Sequence, residues 1–278
     1  MIWTVIKEKA QEEGLPLRTV VSEVLHIAAL DAIFSIPESG SIFFQGGTSI
    51  HLLHGGYRYS EDLDFAGKKV TSELSELIIN KSRSPLEKNI IQLLGNGHIE
   101  WHNPPASLHH RICTYWILYQ PEGIRQKFRL KFEFAAFPIY FPKVYAVRSE
   151  LDLLKRIPLV NGLTPEELLA EKISAVIGRP YFKGRDFFDL WYLKKVMCVS
   201  TDAALVWQKL LDYGDSCVFS EVKKKLDGSD SKILEGEMTR FLPQRYRNHL
   251  QRSAYEEIRQ TAVESVLSVL DELGPLRG

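Results

Sequence analysis

The sequence predicts an α+β protein, with a mixed or antiparallel sheet in the front half and helices in the back half. Three observations carry this expectation. The segments RICTYWILYQ and QKFRLKFEFAAF are β-rich and are separated by the turn signal Pro121-Glu122-Gly123, the pattern of an antiparallel hairpin. The short runs SIFFQ and EDLDF read as strands, the first stopping at a glycine pair and the second alternating apolar and acidic residues. From about residue 150 the spacing of apolar residues turns helical. The expected division is therefore 1–150 and 151–278.

Each element has its own signal. Residues 15–34 place Val20, Val21, Val24, Leu25, Ala28 and Ala29 at helical spacing. After SIFFQ, TSIHLLH reads as a short helix with Thr48 as cap and Gly55-Gly56 as stop. Residues 71–94 read as an amphipathic helix broken near Ser84-Pro85, and 95–110 as loop with strand fragments. A helix over 164–178 has Thr164 as N-cap, Pro165 in its first turn and Glu167 three residues after the cap. A second helix is expected over about 184–197. Further helices fill 201–278, with breaks at Pro243 and Gly274-Pro275.

The bulk numbers exclude more than they assign. With 278 residues, 45% hydrophobic and 25% charged, the composition is that of an ordinary globular chain. Lys+Arg and Asp+Glu balance at 35 each, so any anion-binding surface must be local. Cys113, Cys198 and Cys217 are odd in number and match no zinc spacing, as expected in a reducing compartment. The start MIWTVIKEKAQEEG is too charged for a signal peptide, and no apolar run reaches the roughly 18 residues of a membrane span. A cytoplasmic protein without membrane partners is the expectation. The scattered histidines show no metalloprotease spacing, and Gly46-Gly47 lacks the Lys-Ser/Thr ending of a P-loop.

The chemistry concentrates in GGTSIHLLHGGYRYSEDLDF. A glycine pair between strand and helix serves either as a plain turn or as an anion cradle, where backbone N–H groups and the helix dipole favour a phosphate. On a strand, Asp62 and Asp64 project from one face while Leu63 and Phe65 face the core. That pair is either a solvated strand face or a site for a cation such as Mg²⁺, which takes one or two carboxylates plus substrate phosphates. In RLKFEFAAF, Glu133 lies with Arg129 and Lys131 opposite Leu130, Phe132 and Phe134. It is either paired with a cross-strand base or a third carboxylate of a metal site. Lys172 sits in the apolar stripe of its helix with Leu168, Leu169, Ala175 and Val176, where it snorkels to the edge or points into a site. Asp186 and Asp189 share a face of the following helix with Leu190 and Leu193.

Taken in order, Gly46-Gly47-Thr48, Arg58-x-Ser60-Glu61-Asp62-Leu63-Asp64-Phe65, Glu171-Lys172 and Arg185-Asp186-x-x-Asp189-Leu190 resemble the AbiEii-type nucleotidyltransferases, toxins of abortive-infection toxin–antitoxin pairs. The anchors span residues 45–193. The resemblance implies a polymerase-β-like nucleotidyltransferase core and Mg²⁺- or Mn²⁺-dependent transfer of a nucleoside monophosphate from an NTP, releasing pyrophosphate. By the same resemblance Gly46, Gly47 and Thr48 would cradle the triphosphate, with Ser60 and Arg58 as further nucleotide-binding residues, Arg58 touching a phosphate or bracing its loop. Asp62 and Asp64 would bind the metal, with Glu133 as third carboxylate. Lys172 and one of Asp186 and Asp189 would be the essential residues contributed by the helical region. An RNA acceptor, the tRNA 3′ end in some relatives, and a cognate antitoxin are implied as partners.

Two other readings stand beside it. One is nucleotidyl transfer to a small molecule such as an aminoglycoside, and the other a catalytically silent nucleotide- or RNA-binding protein of the same fold. The segment RFLPQRYRNHLQR, with Arg240, Arg245, Arg247 and Arg252 interleaved by Phe241 and Tyr246, reads as a solvated amphipathic helix or a nucleic-acid track.

Overall fold

A computed structural model describes residues 2–103, 111–149, 151, 157–214, 219–250 and 252–274. Residues 104–110, part of the expected loop, and Cys217 lie outside the described residues. The chain forms two compact units, residues 1–163 and 164–278.

The first unit contains α1 (Ile2–Glu12), α2 (Leu17–Ile33), β1 (Phe43–Gln45), α3 (Gly46–His54), β2 (Asp62–Ala66), α4 (Ser72–Leu94), β3 (Gly97–His102), β4 (Ile112–Pro121), β5 (Phe128–Ala135), β6 (Pro142–Ala146) and β7 (Leu159–Leu163). The strands form one sheet in the order β3-β4-β5-β2-β1-β7-β6. β2 runs parallel to β5, β1 parallel to β7, and the remaining pairs are antiparallel, including the expected β4–β5 hairpin. The first unit extends past the expected division at 150 because β7 pairs with β1, Gly162 opposite Phe44.

β2 owes its place to its alternation. Leu63 and Phe65 are fully buried, while Asp62 and Asp64 on the other face are only partly so. The Phe65 ring stacks on Phe134 at 5.1 Å and meets Phe44 at 5.7 Å and Phe34 at 6.2 Å. β5 repeats the pattern: Leu130, Phe132 and Phe134 are fully buried and Arg129, Lys131 and Glu133 face away. α2 packs on β5 and on α4, to which Asn89 Nδ2 ties it by donating to Ala28 O (3.1 Å) and Asp31 Oδ2 (3.0 Å).

Two expectations for this unit change. The helix expected to break at Ser84-Pro85 is continuous over Ser72–Leu94 with Pro85 inside it. An interior proline costs ~3 kcal/mol. Ile78, Ile79, Leu86, Ile90, Leu93 and Leu94 are buried on both sides of it, and each contributes about 1.5–3 kcal/mol. Packing therefore outweighs the missing hydrogen bond. The strand fragment expected within 95–110 is the six-residue β3, paired along its whole length with β4.

The second unit is helical: α5 (Pro165–Gly178), α6 (Gly184–Trp191), α7 (Ala203–Tyr213), α8 (Phe219–Asp227), α9 (Ser231–Met238), α10 (Gln244–His249) and α11 (Arg252–Leu273). α5 starts as expected, with Thr164 Oγ1 accepting from Glu167 N. α6 passes into a wider π-helical turn at Tyr192–Val196, which completes the expected 184–197 span. Within the segment 240–252, residues 240–250 form a turn followed by the six-residue α10, with Pro243 as N-cap. Phe241 there is buried beneath the Arg185 guanidinium at 4.8 Å, which removes it from base stacking.

Phe65→Ala should lower the unfolding free energy by ~3–5 kcal/mol, read from urea denaturation, because it empties the centre of a four-ring cluster.

Candidate active site

In the first unit, β1 hands the chain directly to α3, whose first two residues are the glycine pair. Gly46 has φ +78°, and a Cβ on it would collide with the Asp64 carboxylate. A Cβ on Gly47 would collide with the Arg58 guanidinium. Only glycines let an acid and a base close on the start of this helix, whose N-terminus carries about half a positive charge. Gln45, not Thr48, occupies the N-cap position. Thr48 is instead buried in the helix, and its hydroxyl donates to the Asp62 carbonyl, clamping α3 to β2. Gly55, at φ 74°, caps the other end of α3 as expected.

The sheet register brings the predicted carboxylates together. Asp64 lies beside Glu133 on parallel β5, and Asp62 beside Lys131. On its other flank Asp64 faces Gln45, whose Oε1 is buried with no hydrogen-bond partner among the described residues. Glu133 is paired with Lys131 of its own strand at 2.5 Å, rather than with a cross-strand base. Burial pushes the Lys131 ammonium down, but its bond to Glu133 and the charges of Asp62, Glu133 and Asp64 raise it overall. Among the described residues no three His, Cys, Asp or Glu side chains are grouped as a ready-made metal cage. The oxygen-only set Asp62, Asp64 and the orphaned Gln45 oxygen, with a lysine drawn to the carboxylates, nonetheless has the chemistry of a Mg²⁺ or Mn²⁺ site completed by substrate phosphates.

The loop between α3 and β2, which carries Arg58 and the half-buried Ser60, is held from beneath. Arg58 is buried, and its Nη1 donates to Tyr59 O at 3.1 Å. His26 Nε2 meets Glu61 O at 3.1 Å, and His51 Nδ1 meets Gly56 O at 2.6 Å. His51 Nε2 faces Glu23 Oε2 at 3.4 Å, and Ser149 donates to Glu23 Oε1 at 2.8 Å. Burial pushes His26 down to about 4, so it is neutral at pH 7 and donates through Nε2. Both ring nitrogens of His51 face acceptors. Burial pushes this imidazole down, yet the Glu23 carboxylate and the Gly56 carbonyl raise it overall. Burial pushes Glu23 up, while His51, Ser149 and Tyr59 hold it below the usual carboxylate range.

The second unit assembles the other predicted residues. Lys172 is buried and does not snorkel: its Nζ lies 2.7 Å from Asp189 Oδ2 and 3.2 Å from Asp186 Oδ1. Arg179 makes a second ion pair with Asp186. Burial pushes Asp186 up, but Lys172, Arg179 and Lys183 hold it down at about 2. Arg179 and Lys183 also line a narrow crevice, room for about one water, with Asp186, Tyr181 and Phe187.

Several of these residues carry no motif. Lys131, Gln45, the Glu23–His51 pair, Arg179 and Lys183 were not singled out by sequence reasoning, and only Lys131, two residues before Glu133, had a local signal. Glu167, expected only as a helix-start residue, is fully buried against Lys209 Nζ at 2.6 Å, which also meets Glu171 at 2.7 Å.

The class of protein is a nucleotidyltransferase, as the family match shows. Residues 28–269 match the family described as nucleotidyl transferase AbiEii toxin, type IV TA system, and the chain belongs to that family. Two solved structures share the fold. JHP933 from Helicobacter pylori is 18% identical with a TM-score of 0.53, covering 95% of this chain and 98% of its own. An H. pylori chain described as a candidate nucleotidyltransferase has the same identity and TM-score, with 94% and 99% covered. Among curated proteins no match was found. Among the described residues no helix is long and apolar enough to cross a membrane.

Gly46→Ala should cost ~1–2 kcal/mol in urea denaturation, from the left-handed backbone alone, and should displace Asp64. The His51–Glu23 pair has a pH signature opposite to that of a depressed carboxylate. His51 is raised above 6.5, so its contribution is complete below that pH and is lost as pH rises through the raised value. The stability difference between wild type and His51→Gln should therefore shrink from slightly acid to alkaline pH.

Proposed function

We propose that the protein transfers a nucleoside monophosphate from an NTP to the 3′ end of an RNA acceptor, tRNA foremost, in a reaction dependent on Mg²⁺ or Mn²⁺. The observation that carries this reading is the register placing Asp62, Asp64 and Glu133 on one sheet face beside the glycine start of α3. Gly46 and Gly47 form the triphosphate cradle, Thr48 holds that helix start against β2, and Arg58, tight against Gly47, neutralises phosphate charge there. Ser60 completes the nucleotide-binding loop. Asp62 and Asp64 hold the divalent ion, which when bound offsets charge developing between the transferred and leaving phosphates. Glu133 is the third carboxylate of the row. Lys172, Asp186 and Asp189 of the helical region are further residues assigned to the same reaction. Membership of a type IV toxin–antitoxin family supports growth arrest as the outcome and an antitoxin as partner.

The test is incubation of the protein with Mg²⁺, each radiolabelled NTP and total tRNA. Label should enter the RNA with at least one NTP, and EDTA should abolish it. Asp62→Asn and Asp64→Asn should each reduce it by about 100-fold or more. Labelling that survives both substitutions refutes the assignment, and labelling of an aminoglycoside in place of tRNA would move the acceptor to small molecules.

A further inference from the structure

The sheet face that bears the carboxylates continues beyond them. Two rows of directly opposed residues cross it. One runs His102 (β3), Trp116 (β4), Lys131 (β5), Asp62 (β2); the other runs Thr114, Glu133, Asp64, Gln45 (β4 to β1). At about 4.8 Å between strands, Trp116 stands roughly 10 Å from the Asp62 position. Its indole is flanked from both neighbouring strands. His102 of β3 stacks with it, centroids 5.4 Å apart and planes at 18°, and Arg129 of β5 sets its guanidinium 4.9 Å from the ring centroid. Arg129 is exposed, while Trp116 and His102 are half-buried. Glu100 meets His102 Nε2 at 3.2 Å.

The position of this stack relative to the carboxylates decides what it fits. The glycine start of α3 follows β1 on one flank of β2, and the stack lies on the opposite flank, beyond β5. In phosphoryl transfer the attacking and leaving oxygens lie roughly in line, on opposite sides of phosphorus. With the triphosphate on the α3 flank, the attacking hydroxyl comes from the β5–β4 flank. Flat aromatic and guanidinium groups there are the surface on which unpaired bases stack, and a cation beside them meets the phosphodiester.

We propose that His102, Trp116 and Arg129 form an acceptor-strand subsite that takes the unpaired end of a single-stranded RNA by base stacking, with Arg129 on its backbone. This rests on the nucleotidyltransferase reading above and names the part of the chain that recognises the acceptor.

The full-length protein, with Mg²⁺ and no NTP, is titrated into a short fluorescein-labelled single-stranded RNA and followed by anisotropy. Trp116→Ala and the exposed Arg129→Ala should each weaken binding by about tenfold, and Trp116→Phe should restore most of it. In the labelling assay the same variants should raise the KM for RNA and leave the KM for NTP unchanged. Arg129 is exposed, so its removal leaves the core intact and keeps the test readable if Trp116→Ala unfolds. Wild-type RNA affinity in Arg129→Ala and a folded Trp116→Ala, in a protein that labels RNA, overturns the subsite and leaves the transfer reading standing. A wild type that neither binds nor labels RNA overturns the RNA acceptor and the subsite with it.

Discussion

Like charges held side by side on a sheet face are the constraint around which this protein is arranged. Asp62, Asp64 and Glu133 occupy neighbouring positions on two strands whose other face is core, so none can move away without breaking the sheet. Repulsion of this kind is relieved by protonation, by a bound cation or by a fixed counter-charge. The fold supplies counter-charges from three directions: Lys131 within β5, the N-terminus of α3 beside Asp64, and Arg58 of the following loop, packed against Gly47. The second unit solves the same problem with opposite bookkeeping, one buried lysine shared by Asp186 and Asp189 with Arg179 as a second cation. Truncating one member of such a buried group leaves an uncompensated charge, a cost of about 3–5 kcal/mol. The charged residues therefore define the site's shape as well as its chemistry.

The loop between α3 and β2 shows how the surroundings hold that arrangement. Its carbonyls at Gly56, Tyr59 and Glu61 are engaged by His51, Arg58 and His26, and Thr48 takes the Asp62 carbonyl at the start of the strand. Two buried histidines shifted in opposite directions do this work. Burial of His26 outweighs the upward pull of the Glu61 carbonyl and the Glu23 charge, whereas His51 gains more from its direct contact with Glu23. A buried His–Glu pair beneath this loop fixes its geometry, and α2, nearly all buried, provides the apolar support.

Much of the site was legible in the chain. Alternation alone put Asp62 and Asp64 on one face and Leu63 and Phe65 in the core, because side chains on a strand change sides at every residue. Likewise Lys172 was legible as a lysine in an apolar stripe. What stayed hidden was pairwise. Nothing local showed that β2 would run parallel to β5 with Asp64 beside Glu133, or that Glu133 would take Lys131 as its partner. Thr48 illustrates the limit: beside two glycines it has the chemistry of a cap, but the helix begins at the glycines and leaves its hydroxyl facing β2. Pro85 errs the other way, since a local breaker yields to burial on both sides of it.

By itself the sequence determined the fold class, the acids that share a face, the glycines that admit them and the helix that carries Lys172. These follow from periodicities of two and 3.6 residues and from backbone freedom, which are properties of short segments. Only the tertiary structure decided which strands are neighbours, and so which carboxylates form a row, which cation answers them and where Trp116 stands relative to them. Strand order is settled by burial of whole faces across distant segments, and that is a sum no local window contains.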